Sequence, residues 1–322
     1  MDEVMNGIID VLKPSGMTSF DVVAHLRGLL GIRKIGHAGT LDPLAAGVLP
    51  VCIGRATRAI EFLMDKDKYY RAELTLGVVT DSQDSTGNVI STAEVNCSDT
   101  EIETAVRSFT GKYLQMPPMH SALKVGGKRL YELARDGVEI ERQQRELMVY
   151  SSAVLSIERD SSTKVMFDVH CSKGTYIRTL CADIGERIGC GGHMSFLLRK
   201  RAGPFDIEDA FTLEDLAEMK SNGTIQTAFL GVESIFCAYP CYKLDEQSDK
   251  KFRNGMNVKV PDIQSFANES DGDFCSGGSN ECDDGSKINS YVRVYSVTGK
   301  FIALGEVKKD EGKSWLKVKK FF

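Results

Sequence analysis

The sequence predicts an α+β protein with a small β-rich module at its C-terminal end. Helical and strand periodicities both run through residues 1–230, but they do not alternate in the regular way a doubly wound sheet requires. After about residue 233 hairpin signals dominate. The 322 residues suffice for two domains at about 100–200 residues each. Charged residues make up 26% and hydrophobic residues 42%, an ordinary globular composition.

Taken in order, TSFDVVAHLRGLLG (18–31) places apolar residues at helical spacing, with Thr18 or Ser19 available as N-cap and Gly31 as the stop. YRAELTLGVV (70–79) alternates like a half-buried strand. Residues 153–158 and 164–170 read as a paired hairpin, and TYIRTLCADIGERIG (175–189) as a helix ending in glycine. Thr212 with Asp215 forms a capping box that opens a helix over 213–222, closed by Gly223. In the C-terminal module, residues 254–260 read as a strand. YVRVYSV (291–297), a Thr298-Gly299-Lys300 turn and FIALGEV (301–307) form a hairpin. Between them, residues 262–289 hold seven acids and one lysine with almost no apolar periodicity, the pattern of an inserted loop.

The net charge of −5 argues little against an anionic partner once that loop is set aside, because the remainder carries 39 basic against 38 acidic residues. Residues 112–135 hold five bases and one acid, residues 300–320 seven bases and three acids, and Arg199-Lys200-Arg201 stand together. Each cluster taken alone reads as a solvated face. The nine cysteines are scattered without a C-x-x-C pair, so reduced thiols are expected, not a zinc ribbon or a disulfide framework. The apolar run 44–53 is too short and too broken by Gly and Pro to span a membrane, and the acidic N-terminus lacks the basic region of a signal peptide. A cytoplasmic location is expected.

Residues 36–58, GHAGTLDPLAAGVLPVCIGRATR, are the most unusual stretch. Pro43 disfavours the α region at Asp42, and Gly36 and Gly39 permit tight bends around His37. A carboxylate therefore sits on a stiff turn between Leu41 and Leu44. Burial would raise its pKa, so the chain must bring a cation to it if it is to work as an anion.

Together with I-I-D-V-L-K-P-S-G-M-T-S (8–19), this stretch resembles the TruB family of tRNA pseudouridine synthases. Further motifs follow in family order: DKYYRAELTLGVVTDSQDSTG (67–87), QMPPMHSALKVGGKRLYELARDG (115–137) and CSKGTYIRTLCADIG (171–185). The resemblance covers nearly all of residues 6–230. It implies a pseudouridine synthase catalytic domain over 1–230 with a central mixed, mostly antiparallel sheet. A thumb-like insertion at about 112–146 and a PUA-like RNA-binding domain over 233–322 complete the implied organisation.

Position by position, Asp42 matches the catalytic aspartate, and Arg178 the arginine that pairs with it. Tyr70 matches the tyrosine that stacks on the target base and is a proposed proton acceptor, with Tyr69 as the competing alignment. His37 matches a histidine that keeps the target nucleotide out of the RNA stack. Tyr176 is placed near the pocket, and Leu197 matches an apolar pocket residue that the sequence leaves hard to separate from Leu198. In the thumb, Lys112, Lys124, Lys128, Arg129 and Arg135 beside Met116–Met119 and His120 suit phosphate contacts.

The implied reaction is isomerisation of uridine 55 in the T-loop of tRNA, without cofactor or metal, by a monomer that needs no guide RNA. Two other readings are a guide-dependent or differently targeted synthase, and an RNA-binding tRNA-folding chaperone without catalysis. The thumb argues against the guide-dependent form, and intact Asp42, Tyr70 and Arg178 argue against loss of catalysis. Because the acidic loop matches nothing in the family pattern, deleting residues 265–287 is expected to leave activity intact. Steady-state kinetics would reveal a role for it as a large rise in KM.

Overall fold

The computed structural model describes residues 5–119, 121, 124, 125, 127–129, 138, 140–261, 291–310 and 312–322. The acidic stretch 262–289, His120 and Arg135 lie outside the described residues. The chain forms two compact units. The larger comprises Ile9–Val51 and Ile60–Ala228; the smaller comprises the described residues of Met1–Ile8, Cys52–Ala59 and Phe229–Phe322.

The principal sheet takes its strands in an order far from that of the chain. In chain order the elements are β1 (Gly7–Lys13), α1 (Ser19–Leu30), β2 (Ile35–His37), β3 (Ala46–Ile53), α2 (Ile60–Met64) and β4 (Lys68–Leu76). There follow β5 (Val78–Thr80), β6 (Val89–Thr92), α3 (Asp99–Arg107), β7 (Gly111–Gln115), β8 (Lys124–Val125) and β9 (Lys128–Arg129). Next come β10 (Arg145–Arg159), β11 (Thr163–Cys171), α4 (Ile177–Ile188), β12 (Gly192–Ala202), β13 (Phe205–Asp206) and α5 (Leu213–Ser221). Across the sheet the order is β1-β3-β12-β4-β11-β10-β7, with β2 paired to β3 and β13 to β12. The β12–β3 pair is parallel, whereas β12–β4, β4–β11, β11–β10 and β10–β7 are antiparallel. The sheet is thus mixed and mostly antiparallel.

Alternation along β4 decides what faces the core. Tyr70, Ala72 and Leu74 point into a cluster with Val165, Phe167 and Val169 of β11, Ile102 and Val106 of α3, and Ile177, Leu180 and Ile184 of α4. Burying each such large side chain contributes about 1.5–3 kcal/mol. On the opposite face Arg71 makes a two-point contact with Asp168 at 2.8 and 2.9 Å, and Lys200 and Tyr69 approach the same carboxylate. The strand expected over 70–79 ends at Leu76, because Gly77 adopts φ +82° and the chain restarts as β5. The hairpin at 153–170 is longer than its apolar pattern suggests, running from Arg145 to Cys171.

Helix α1 starts as its sequence requires. Thr18 accepts from Asp21 N at 3.1 Å while Asp21 accepts from Thr18 N at 2.9 Å, and Gly31 closes the helix at φ +70°. Thr212 and Asp215 form the same box on α5.

The smaller unit carries β14 (Cys241–Lys243), α6 (Glu246–Arg253), β15 (Val258–Val260), β16 (Tyr291–Tyr295), β17 (Phe301–Asp310) and β18 (Lys313–Phe321). Its sheet order is β14-β16-β17-β18-β15 over a core that includes Phe252, Val292, Val294 and Leu316. The strand expected over 254–260 shortens to Val258–Val260.

Gly47 shows how closely β3 and β12 approach. It has φ +114°, and a Cβ there would lie 2.2 Å from the Arg199 carbonyl oxygen and 2.7 Å from its nitrogen. Both contacts are backbone and neither can yield cheaply. Gly47→Ala should therefore cost about 3 kcal/mol or more, read as a lower denaturation midpoint.

Candidate active site

Asp42 lies on the turn between β2 and β3, and the segment around residues 13–19 grips that turn. The Ser19 hydroxyl donates to the Leu41 carbonyl at 3.0 Å and accepts from the Leu41 N–H at 2.8 Å, so both backbone groups beside Asp42 are held by one buried side chain. Ser15 donates to the Leu44 carbonyl at 2.8 Å, and Gly16 N–H to the Pro43 carbonyl at 2.8 Å. Lys13 is fully buried and directs Nζ at the carbonyls of Pro14, Met17 and Pro43, at 2.9, 2.6 and 3.4 Å. Burial lowers its pKa to about 8, with Asp42 pulling in the opposite direction.

The cation that the Asp-Pro turn requires is Arg178, from the first turn of α4. Its Nε lies 3.0 Å from Asp42 Oδ2, and its side chain is only 7% exposed against 39% for Asp42. Its Nη1 reaches the Ser82 carbonyl and Asp84 Oδ2, each at 3.4 Å. Asp84 Oδ1 in turn accepts from Ser82 Oγ at 2.7 Å, Thr86 Oγ1 at 2.5 Å and Thr86 N at 3.0 Å. Burial opposes the charge on Asp84, but these bonds outweigh it and hold the carboxyl below its usual range. Asp42 differs: desolvation holds it above the ordinary 3.8, Arg178 opposes that rise, and the Asp84 charge adds to it. A cleft of about 440 Å³ opens here, lined by Asp42, Leu44, Arg178 and the turn that carries Asp81, Asp84 and Asn88.

Strand alternation separates the two candidate tyrosines. Tyr70 is on the inward face, 8% exposed, and its hydroxyl lies beside the Arg199 guanidinium and within the field of Asp42. Tyr69 is on the outer face with Asp168 and Lys200. Burial holds the Tyr70 hydroxyl above its ordinary pKa. Leu197 is 6% exposed and packs in the cluster that holds Tyr70, Leu41 and Ala45, whereas Leu198 alternates to the other face. His37 ends β2 with a buried Nδ1 that has no hydrogen-bond partner. Burial first, and Arg199 second, lower its pKa, so the ring is neutral at neutral pH.

Tyr176 is the N-cap of α4 and makes no side-chain cap. Gln115, at the end of β7, instead clasps the backbone of Tyr176 itself. Its Oε1 accepts from Tyr176 N at 2.9 Å and its Nε2 donates to the Tyr176 carbonyl at 2.9 Å. Tyr113 of the same strand donates to Asp183 of α4. The strand that enters the 112–146 insertion is therefore bonded to the helix that carries Arg178. Lys124 and Arg129 pair across the β8–β9 hairpin, as do Val125 and Lys128, while the side chains of Lys124, Lys128 and Arg129 lie outside the described residues. Lys112 is ion-paired to Glu146 at 3.1 Å.

Five residues of this arrangement escape a reading of the sequence: Lys13, Ser19, Asp84, Gln115 and Arg199. The first four lie inside quoted motifs, and nothing in one dimension marks out their part in the site. Arg199 reads as part of a solvated basic run, yet it is 1% exposed. Alternation on β12 turns Lys200 out and Arg199 in.

A carboxylate paired with a buried arginine at the mouth of a cleft, on a mixed sheet, is a candidate enzyme site in which the carboxylate could act as nucleophile or base. Family models agree with it. Residues 27–177 match the TruB family pseudouridylate synthase N-terminal domain, and residues 178–236 match the tRNA pseudouridylate synthase B C-terminal domain. Relatives named tRNA pseudouridine synthase B include one from Clostridioides difficile, 40% identical over 99% of this chain and 100% of that protein. Another, from Alkaliphilus oremlandii, is 55% identical over 67% of this chain and 72% of that protein. Among solved structures, a Cbf5-Nop10-Gar1 complex superposes with a TM-score of 0.69 at 28% identity, covering 98% of this chain and 84% of that one. An H/ACA ribonucleoprotein bound to a substrate RNA containing 2'-deoxyuridine gives 0.68 at 26%, with coverage of 98% and 84%. The chain belongs to the TruB family of pseudouridylate synthases, which are isomerases.

The opposed influences on Asp42 can be measured directly. Its carboxyl should titrate above 3.8, and Asp84→Asn, which removes a like charge while keeping an acceptor for Arg178, should bring the titration down. Carboxyl-carbon NMR of Asp42 checks both values.

Proposed function

We propose that this chain isomerises uridine 55 in the T-loop of tRNA to pseudouridine, as a stand-alone, cofactor-free enzyme that acts as a monomer in the cytoplasm. The observation that carries this reading is the Arg178–Asp42 pair at 3.0 Å beside a cleft of about 440 Å³. Tightly related proteins bear the name tRNA pseudouridine synthase B over nearly their whole length, which supports tRNA as the substrate.

The chemistry follows from what each group offers. Breaking the bond between uracil N1 and C1′ leaves an electron-poor sugar and a negatively charged base. Asp42, kept anionic by Arg178, serves either as nucleophile or as the base that initiates elimination. The fork of Arg178 fixes the carboxylate by a charge-assisted bond that a lysine could not reproduce in geometry. The detached uracil turns, C5 bonds to C1′, C5 loses its proton and N1 gains one. Product and substrate have the same atoms, so no external reactant is consumed.

The remaining residues shape the pocket in this reading. Tyr70 and Leu197 flank the base, and the Tyr70 hydroxyl, which Arg199 draws toward ionisation against the rise from burial, is assigned the C5 proton. Tyr176 borders the cleft. His37, neutral because of its burial, fills the space left by the extruded nucleotide. Lys124, Lys128 and Arg129 of the thumb meet phosphates, and the C-terminal unit acts as a PUA-like RNA-binding domain.

A pseudouridine-specific map of an unmodified tRNA transcript incubated with the protein alone tests the reading. One new pseudouridine in the T-loop is expected. Asp42→Asn should abolish it while leaving tRNA affinity within about threefold; appreciable single-turnover activity in that variant would remove Asp42 from its assigned role.

A further inference from the structure

Arg199, only 1% exposed, is a buried charge of the larger unit that the reaction above leaves without a task. Its guanidinium makes two backbone contacts: Nε donates to the Val48 carbonyl at 2.7 Å, and Nη2 donates to the Gly39 carbonyl at 3.0 Å. These two carbonyls bracket the turn that carries Asp42, and Gly39 follows His37 by two residues. Gly39 has φ +93°, and a Cβ there would lie 3.5 Å from Arg199 Nη1, so the turn passes close over the guanidinium. The Tyr70 hydroxyl lies beside the same group.

Such an arginine is costly to bury. Among the described residues no carboxylate is ion-paired with it. The carboxyl that bears on it, Asp10, is 2% exposed, and neither of its oxygens has a hydrogen-bond partner. Burial pushes Asp10 up to about 8, with Arg199 working against the rise and Asp209 and Asp206 adding to it, so at neutral pH it is largely protonated. A buried cation held by backbone carbonyls is tolerated where its position does something that a methionine or leucine of similar size could not.

We infer that Arg199 is a positioning residue for the isomerisation: it staples both ends of the turn that bears Asp42 and places a buried positive charge beside Tyr70, its cross-strand partner. The inference rests on the proposed roles of Asp42 and Tyr70. Two consequences distinguish it from simple core support. The staple uses two separate donors of one planar fork, which an ammonium cannot reproduce. The charge also acts on His37, which ends the strand entering the same turn, and contributes to its lowered pKa.

The test uses the full chain with Arg199→Gln and Arg199→Lys, an unmodified tRNA transcript, and three readouts: single-turnover rate, tRNA affinity, and His37 titration by imidazole NMR. Arg199→Gln should slow turnover about 100-fold, the loss a displacement of about 1 Å produces, with affinity changed less than about threefold. Its His37 pKa should rise, because the neighbouring cation is gone. Arg199→Lys should be at least about tenfold slow, with the His37 titration unmoved. A folded Arg199→Gln protein with a rate within about threefold of wild type, or with an unshifted His37, would overturn the inference. If Arg199→Gln does not fold, Arg199→Lys decides, and a near-normal rate there overturns it. A wild-type protein that forms no pseudouridine would instead sink the reading of the site, whereas the His37 titration reports on Arg199 without any turnover.

Discussion

The ion pair between Arg178 and Asp42 is the contact on which the rest of the site depends. Each partner arrives from a separate element, one on a proline-stiffened turn and the other in the first turn of a helix packed on the sheet. An isolated exposed pair would contribute little, but here the arginine is 7% exposed, and shielding from water strengthens its attraction to the carboxylate. The surrounding hydrogen bonds make sense as devices that hold these two groups in register. Ser19 and Lys13 fix the turn, Gln115 fixes the start of the helix, and Asp84 braces the far side of the guanidinium.

The same economy explains the density of buried polar groups in this half of the molecule. Lys13, Lys68, Asp84, Gln115, Arg178 and Arg199 are all buried. Most are satisfied by backbone carbonyls or amides, not by opposite charges. Lys68, for example, donates to the carbonyls of Met64 and Lys66 and so closes the end of α2. Backbone partners cannot change rotamer or ionise, so a network anchored on them is stiffer than one made of paired side chains. Asp10 is an exception, with both oxygens unpartnered.

Much of this was legible in one dimension. The α+β class followed from the mixture of periods, and α1 and α5 were readable to within a residue because capping boxes and glycine stops are local chemistry. The requirement for a cation near Asp42 followed from burial and the stiff turn, and the family motifs pointed to Arg178. Distances between segments were not legible. Tyr69 and Tyr70 are separated only by which face of β4 meets the helices, and Arg199 and Lys200 only by the phase of β12. Both phases are set by partners on other strands. Ser19, Asp84 and Gln115 act on residues 22, 94 and 61 positions away, and no spacing rule reaches that far.

The insertion after β7 leaves and rejoins the sheet at neighbouring rungs, since Gln115 pairs with Arg145 across β7 and β10. Its two ends are thus pinned about 5 Å apart whatever lies between them. Chain added to or removed from such an excursion alters only a slowly varying closure entropy, by about 0.6 kcal/mol per doubling of length. Length can therefore change between the rungs at little thermodynamic cost, while the Gln115 rung itself is tied to the backbone that opens the arginine-bearing helix.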